Sequence, residues 1–562
     1  MSRRRTPASI RAAGHPIREG SLLESAGIVS IAVFASRITG LIRESVLAWL
    51  FGASGTFDAY VLAYRIPNLA RDLFAEGALS SAFVPEFSRY LTTKSHEEAR
   101  ELSNITSTLL ILIVSAVVVL GIIFTPQFVN LFAPGYHAIP GKWELAVRLA
   151  RTMFPFLLLL ALAAQAQGIL NASHRFGVPA VSSAIFNLGS VFFGLTLGYW
   201  FGPQLGISVI EGMAIGVVFG GIAQLLFQLP SVWRAGFAWR PRWNPQHEGV
   251  HRILTLMGPA LIGSASVHLN LLVNTNLAAG IRDAAGHVIN GPVSWLAYSF
   301  RFMQLPIGLF GVAMGSAMLP RIARNAAHGN LAQFRDTLSR ALVSTLLLTI
   351  PSSVGLAILG DSMIGLIFER GRFTPFDTQQ TALALSCYAA GLAGFSALKL
   401  LAPAFYALGD SRTPMLVSMA SVAVNFVVAT TLVRGLGPWH AGLGHAGLAL
   451  STSAVSWFSG LALLALIRGR IGGVRGPQLF LAVLKISLAS AVMAAACYAL
   501  VHATAAAIPG IKLRRIVNLA AGIPLGAIVW FLSASALRIP ELGEARDLIS
   551  RRLFPARARP NS

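Results

Sequence analysis

Charged residues are scarce in this chain. Of its 562 residues only 12% are charged, 55% are hydrophobic, and the mean hydropathy is +0.66. A soluble domain carries roughly twice that charged fraction, so the composition excludes a soluble globular protein. Acidic residues are the scarcer sign, at 22 against 44 basic ones. The basic residues lie mostly in short loops and tails, without a patch that interleaves them with aromatics, so we predict no nucleic-acid partner.

Cysteine is nearly absent as well. The two cysteines, Cys387 and Cys497, both lie inside apolar runs, where they are typical of packing residues. The sequence therefore predicts no disulfide, no metal site and no cofactor. A cleavable signal is also missing, because the basic residues 1–25 precede no short apolar segment with a small-residue cleavage site.

Long apolar runs are what the sequence has instead. A spanning helix needs about twenty apolar residues, and runs of that length predict an all-α polytopic membrane protein with about fourteen spans. Pro67 and Pro306 predict kinks in the second and eighth spans. The spans are expected near 26–51, 57–90, 104–132, 145–171, 178–201, 212–233, 252–280, 293–320, 336–359, 378–408, 414–434, 443–467, 478–502 and 515–537.

The basic residues concentrate in alternate loops between these spans. By the positive-inside rule this distribution places both termini in the cytoplasm. One group contradicts the pattern, since Lys512, Arg514 and Arg515 lie at the start of the last span, on the side that the count places outside.

The chain also repeats itself at an offset of about 236 residues. The stretch 65–89 matches 301–324, so that Arg65 aligns with Arg301, and a weaker pair sets Arg175 and Asn187 against Arg412 and Asn425. Six spans per copy predict two parallel-related lobes with a site between them. The expected segments are a cytoplasmic tail (1–25), a first lobe (26–233), a cytoplasmic linker (234–251), a second lobe (252–467), two extra spans (478–537) and a second cytoplasmic tail (538–562).

Several charges lie where a bilayer would be. The first span, IVSIAVFASRITGLIRESVLAWLF (28–51), carries Arg37, Arg43 and Glu44 near its middle. An unpaired charge there costs at least about 2.5–3.5 kcal/mol, so we expect some arginines to pair with Glu44 and Asp58 while the others line a cavity. Arginine's planar fork suits phosphate, which favours an anionic, phosphate-bearing substrate.

Further residues extend this predicted cavity. Arg301 is the main buried cation of the second lobe, and the second span adds charges expected to act as partners or in gating: Asp58, Arg65, Arg71 and Glu76. Polar side chains expected to line the cavity are Asn171, Asn270, Asn274 and Lys399. In the alternative interpretation, arginines near helix ends simply extend to the lipid headgroups.

Specific passages of the chain resemble a known family. They are SRITGLIRE (36–44), FGASGTFDAYVLAYRIPNLARDLFAEGALSSAFVP (51–85), GILNASHRFGVPA (168–180), MGPALIG (257–263), SWLAYSFRFMQLPIGLFGVAMGSAMLP (294–320) and KLLAPAFYALGDSRTP (399–414). In this order they resemble the MurJ (MviN) lipid II flippases of the MOP exporter superfamily. The resemblance covers the first twelve spans, and the last two match only in number and place.

The resemblance implies a function in cell-wall biogenesis and cell shape. The substrate would be the undecaprenyl-pyrophosphate-linked peptidoglycan precursor, moved from the inner to the outer leaflet of the bacterial inner membrane. Arg37, Arg43 and Arg301 would bind its diphosphate, with Glu44 as the acidic partner of the second arginine. The two extra spans would form a groove for the lipid tail. Implied partners are membrane lipids and the cell-wall synthesis machinery.

Two positions depart from the family pattern. Phe300 precedes Arg301 where some members have an acidic residue, and the seventh span offers only Asn270 and Asn274 where sodium-binding members use carboxylates. This argues against sodium coupling and leaves the membrane potential as a driver, worth about 2.3 kcal/mol per charge and 100 mV.

Three other functions remain to be weighed. A flippase for another polyprenyl-linked sugar, such as an O-antigen or capsule unit, would show the same charge pattern and differs only in the motifs. A membrane enzyme acting on lipid-linked sugars would need acidic metal ligands or a His/Asp group, and no such cluster is found. A scaffold protein of the division machinery would not need buried arginines.

Overall fold

The computed structural model of the chain describes residues 19–71, 80–435, 442–539 and 542, and within these it leaves the side chains of 19–31, 33, 70, 71, 80, 81, 256–264 and 313 undescribed. The described part is almost entirely helical. Its helices are α1 (Glu19–Phe51), α2 (Gly55–Arg71), α3 (Ser80–Thr93), α4 (His96–Ile123), α5 (Thr125–Phe132), α6 (Lys142–Met153), α7 (Phe156–Ala172), α8 (Gly177–Leu195), α9 (Gly202–Leu205), α10 (Val209–Arg234), α11 (Glu248–Ala279), α12 (Pro292–Pro306), α13 (Ala313–Ala327), α14 (Leu331–Phe368), α15 (Pro375–Ala389), α16 (Leu392–Ala407), α17 (Arg412–Arg434), α18 (Gly444–Arg470), α19 (Gly476–Ala507) and α20 (Ile511–Ala536).

Local sequence signals explain where several helices begin. Ser95 and Glu98 form a capping box at the start of α4, in which each side chain satisfies the other's backbone N–H. Ser208 and Glu211 repeat this arrangement at α10. At α15, Thr374 and the Asp three residues later do the same, and a proline occupies the first turn.

Eleven of the expected spans have a counterpart that meets the length and composition of a membrane-crossing helix. Within the described residues ten helical stretches qualify, three of which join two of the helices above (α6 with α7, α8 with α9, α12 with α13), and the bent pair α15–α16 makes the eleventh. The other three expected spans correspond to α1, to α2 with α3, and to α11, which do not pass that test over their described residues. The all-α membrane architecture is confirmed, whereas the number fourteen is not.

The helices of each predicted lobe pack chiefly against one another. In the first lobe α10 packs on α8 and α7, and α1 packs on α8. In the second lobe α18 packs on α17 and α16, and α14 packs on α15. Helix α11 contacts both groups, with α17 on one side and α3 and α5 on the other. Helices α19 and α20 pack against each other and against α14, at the edge of the second lobe.

The tenth expected span is not one straight helix. Its two halves, α15 and α16, meet at an angle of 44°. Side chains of α18 donate to backbone oxygens at the bend. Trp457 Nε1 lies 2.8 Å from the Ala390 oxygen, and Ser456 Oγ lies 2.9 Å from the Gly391 oxygen, which also accepts from the Phe395 N–H. Such partners make a broken helix tolerable at membrane depth.

The eighth span departs from regular geometry at the predicted proline. Helix α12 ends at Pro306 and continues into a π-helical turn, Ile307–Val312, before α13 begins. A proline removes one backbone donor and crowds the preceding turn, which accounts for the change in hydrogen bonding there.

The two lobes meet at one end of the bundle, which we call the closed end. It consists of the end of α1, the starts of α2 and α12, and the end of α14 with residues 369–374. Tyr298 stacks on Phe57 with ring centroids 4.9 Å apart and contacts Phe368 at 5.0 Å. Its hydroxyl donates to the Gly52 oxygen at 3.3 Å. Four loops reach this end, at 52–54, 133–141, 280–291 and 369–374.

Candidate functional site

A carboxylate at the lobe interface is shared by two arginines. Arg43 Nη2 of α1 and Arg301 Nη2 of α12 each donate a hydrogen bond to Glu44 Oε1, and each bond is 2.9 Å long. The Arg43 and Glu44 side chains are 9% and 11% exposed, whereas that of Arg301 is 42% exposed. The predicted cluster of Arg43, Glu44 and Arg301 therefore comes together, and it links the lobes through one oxygen atom.

Arg43 is held in place by its surroundings. Its guanidinium carbon lies 5.5 Å from the ring centre of Tyr64 on α2 and 5.6 Å from that of Phe186 on α8. Cation–π contacts of this kind gain strength where water is excluded. The charge of Arg43 is thus committed to the protein interior, while Arg301 presents part of its guanidinium to solvent.

Arg37 lies on the same helix about two turns before Glu44, or about 10 Å along the axis. Its side chain is exposed, and across the described residues it forms no hydrogen bond or ion pair. The guanidinium lies against Gly308 in the π-helical turn of the second lobe, where any added Cβ would overlap it. Three arginines against one glutamate leave surplus positive charge at the interface.

Asp58 has a different partner from the one predicted. It is 1% exposed and pairs with Lys142 at 2.9 Å, not with an arginine. Its carboxylate also accepts from the backbone N–H groups of Gly291 and Ser294, each at 2.9 Å, and from Ser294 Oγ at 2.6 Å. Asp58 in the first lobe therefore caps the start of α12 in the second lobe, at the closed end.

The remaining second-span charges are only partly described. Arg65 Nη1 donates to Thr275 Oγ1 on α11 at 2.8 Å, so it binds across the lobe interface. Arg71 ends α2, but its side chain is not described, and Glu76 lies outside the described residues.

The predicted polar lining is dispersed over three places. Asn171 lines a cavity of about 270 Å³ within the first lobe, together with Gln167 and Gln224. Asn270 and Asn274 lie in the second lobe. Lys399 on α16 is exposed and, in the part of the chain described, has no hydrogen bond or ion pair of its side chain.

The second-lobe asparagines form a neutral hydrogen-bonded network. Asn425 Nδ2 donates to Asn274 Oδ1 at 3.0 Å, and Asn274 Nδ2 donates to Thr452 Oγ1 at 2.9 Å. Asn270 Nδ2 donates to Ser421 Oγ at 3.2 Å, while its own Oδ1 is buried without a partner. No group of three His, Cys, Asp or Glu side chains that could hold a metal occurs within the described residues. Among the described residues the network contains no carboxylate, and its unpartnered amide oxygen is Asn270 Oδ1.

Sequence reasoning missed three groups at the interface. Lys142 falls between the third and fourth expected spans, yet it is buried against Asp58, donates to Asn290 Oδ1 at 2.8 Å and lies 4.2 Å from the Tyr136 ring centre. Nothing in the sequence marks Thr275 as the hydrogen-bond partner of Arg65. Ser294 did have one, because it lies 236 residues after Asp58, at the offset of the repeat.

Comparison with known proteins identifies the family. A model of the family described as "Lipid II flippase MurJ" matches residues 47–518, a range that begins just after the α1 charges. A probable lipid II flippase MurJ of Buchnera aphidicola is 30% identical over 92% of this chain and 98% of its own length. The probable lipid II flippase MurJ of Vibrio cholerae is 34% identical over 79% of this chain and 82% of its own length. The lipid II flippase MurJ of Burkholderia cenocepacia is 33% identical over 80% of this chain and 84% of its own length.

Comparison with solved structures points to the same family. Lipid II flippase MurJ in an inward closed conformation superimposes with a TM-score of 0.72 at 27% identity, over 93% of this chain and 99% of that one. An inward-facing MATE family transporter of the MOP superfamily shares the fold, with a TM-score of 0.58 at 16% identity over 80% and 95% of the two chains. The family is one of transporters. The chain is a multi-span helical membrane protein that belongs to the lipid II flippase MurJ family.

Proposed function

We propose that this chain moves lipid II, the undecaprenyl-pyrophosphate-linked peptidoglycan precursor, from the inner to the outer leaflet of the bacterial inner membrane by alternating access. The observation that supports this most is the sharing of Glu44 between Arg43 and Arg301, with an exposed Arg37 two turns earlier on the same helix. It provides phosphate-binding cations at the interface between two lobes, where a moving substrate must pass.

The shared carboxylate gives a way for the substrate to act on the lobes. A diphosphate offers several oxygens in place of the single Glu44 oxygen that Arg301 now uses. Arg37 and Arg301 would bind the diphosphate by paired, charge-assisted hydrogen bonds, while Arg43 keeps Glu44. Binding would then replace one direct link between the lobes by a link through the substrate, so the substrate interacts differently with the two conformations.

The closed end sets the barrier to opening. Opening there requires that Asp58 leave the Gly291 and Ser294 N–H groups of the other lobe. Release of the substrate to the outer leaflet therefore depends on energy from substrate binding or from the membrane potential, at about 2.3 kcal/mol per charge moved through 100 mV.

The proposal includes an orientation. Both termini lie in the cytoplasm, so that the closed end faces outward and the exposed side of Arg37 and Arg301 faces inward. The distribution of basic loops supports this. Helices α19 and α20, packed beside α14, would hold the lipid tail at the edge of the second lobe. Contact with the cell-wall synthesis machinery remains a prediction.

The experiment measures outer-leaflet exposure of the peptidoglycan lipid precursor in cells depleted of this protein. Rescue is compared for wild type, Arg37→Ala, Arg301→Ala and the control Arg468→Ala, an exposed arginine at the end of α18. We expect loss of exposure on depletion and rescue only by wild type and the control.

Two results would contradict the proposal. Normal exposure after depletion, in cells without a second flippase, would shift the function to another polyprenyl-linked sugar. Full rescue by both alanine variants, at wild-type expression, would leave the flippase but remove these arginines from its binding site.

A further inference from the structure

The first turn of α20 carries cations where a helix disfavours them. Lys512, Arg514 and Arg515 follow directly on the helix start at Ile511. The N-terminus of a helix carries a positive partial charge, so cations there are unfavourable unless anions lie nearby. These residues are also the exception in the distribution of basic loops, and the proposed function does not use them.

A cavity of about 270 Å³ opens beside them, between the end of α14 and the start of α20. Its charged lining consists of one carboxylate and three cations: Glu369, Arg370, Lys512 and Arg515. Even with the nearby Asp361 counted, the cations outnumber the carboxylates. The cavity therefore has an unbalanced positive charge.

The carboxylates are already engaged by Arg515. This side chain is 6% exposed, and its Nη1 lies 2.8 Å from Glu369 Oε2. Its Nε is 3.5 Å from Asp361 Oδ2 but makes no hydrogen bond. The guanidinium lies against Gly365 of α14, where a Cβ would overlap it. Arg515 is thus a fixed, buried wall of the cavity.

The other two cations are available. Lys512 is exposed, and Arg370 uses Nη2 to donate to the Leu366 backbone oxygen at 3.1 Å. In the described ranges neither forms an ion pair with a carboxylate. A phosphate group placed in the cavity would find two flexible cations and the edge of a third.

The surroundings of the cavity are apolar and exposed. Ile511, Leu513 and Ile516 on the first turns of α20 are 41%, 57% and 47% exposed. In a membrane protein such a surface faces acyl chains. A ligand that satisfies both the cations and this surface has a phosphate headgroup and an apolar tail.

We propose that this cavity binds the phosphate-bearing headgroup of a membrane lipid, with Lys512 and Arg370 on the phosphate and Arg515 as the fixed wall. The site lies at the same end as Asp58, and its placement in the outer leaflet rests on the orientation in the proposed function. The phosphate can come from an anionic phospholipid or from a polyprenyl diphosphate.

The test measures lipid retained by the full-length purified protein. The protein is placed in phosphatidylcholine nanodiscs with either phosphatidylglycerol or undecaprenyl diphosphate added, and native mass spectrometry counts the lipid that stays bound. The cavity variant is Lys512→Gln/Arg370→Gln. The matched control is Lys485→Gln/Arg514→Gln, which removes the same charges at positions that do not line the cavity.

We expect the cavity variant to retain one of the two lipids about 30-fold less well than wild type, since each cation near a headgroup is worth about 1 kcal/mol and 1.4 kcal/mol is tenfold. The control should retain it as wild type does. Loss confined to phosphatidylglycerol identifies a phospholipid site, and loss of undecaprenyl diphosphate identifies a substrate site.

Equal retention by wild type, cavity variant and control would overturn the proposal. Thermal unfolding in phosphatidylcholine alone checks that the variants fold, and Ile516→Trp, which fills the cavity without changing charge, provides a second variant. Because retention does not require translocation, a failed flipping assay and a failed lipid site remain distinguishable.

Discussion

The contact made by Asp58 offers the sharpest prediction on conformation. Replacing Asp58 by Asn keeps its shape and one acceptor oxygen but leaves Lys142, whose side chain is 3% exposed, without its counter-ion. Removing one partner of a buried ion pair costs about 3–5 kcal/mol. The lower limit applies here, because Lys142 keeps its hydrogen bond to Asn290 and its contact with the Tyr136 ring.

This cost falls mainly on the closed-end conformation, because there Lys142 is buried against Asn290 of the other lobe, whereas opening would let water reach its unpaired charge. A loss of about 3 kcal/mol lowers the ratio of closed to open molecules roughly 100-fold. Nitroxide labels at Glu144→Cys on α6 and Gln379→Cys on α15, with both natural cysteines replaced, report the separation of the lobes by pulsed electron paramagnetic resonance. We expect a longer distance to become populated in the Asp58→Asn protein.

A second substitution separates charge from shape. Asp58→Asn/Lys142→Met removes the lone cation, so the distance distribution should return toward that of wild type. An unchanged distribution in Asp58→Asn, with unchanged thermal stability, would refute the reasoning that Asp58 holds this end closed.

Three further predictions concern the candidate site and the bent span. Arg301→Lys keeps the charge but loses the fork, so its ion pair with Glu44 should survive while flipping in the leaflet-exposure assay falls about tenfold or more. Gly308→Val should displace the Arg37 guanidinium and lower flipping, with little change in the melting temperature, because a flexible side chain moves and not the core. Ser456→Ala removes one of the two donors to the Gly391 oxygen at the α15–α16 bend, because the Phe395 N–H still donates to it at 3.0 Å, so the free energy of unfolding should fall by about 0.5–1.5 kcal/mol in a reversible denaturation assay.

The sequence predicted ion pairing where charged residues lie inside apolar runs, because buried charges need partners. Arg43 and Glu44 lie in the middle of an apolar run, and such charges must find partners, so pairing could be predicted without a structure. Arg301 could be named as a cavity cation because it too lies in an apolar run, but its ion pair with Glu44 was not predicted. The repeat and the family motifs pointed to the same residue.

Pairing over long distances in the chain could not be predicted in the same way. Lys142 lies 84 residues from Asp58, in a segment whose composition is that of an exposed loop. Nothing local distinguishes a lysine that extends into solvent from one that folds back onto a buried carboxylate. The choice of lysine over arginine as the partner depends on how the helix ends meet, and that is set by packing of the whole bundle.

The contact between Asp58 and Ser294 joins equivalent positions of the two copies of the sequence repeat. The two residues are 236 positions apart, which is the offset at which the two halves of the sequence match. Two copies related by a two-fold axis can bring equivalent positions into contact only near that axis. Gly55 fits the same reasoning. Its counterpart at the offset of the repeat is Gly291, and a Cβ at Gly55 would overlap the side chain of the neighbouring Asn290. Contacts between such counterparts at the closed end are what the predicted two-lobe repeat would produce near its axis. An aspartate in one copy against a serine in the other makes the contact favourable, because two aspartates at such a position would repel each other.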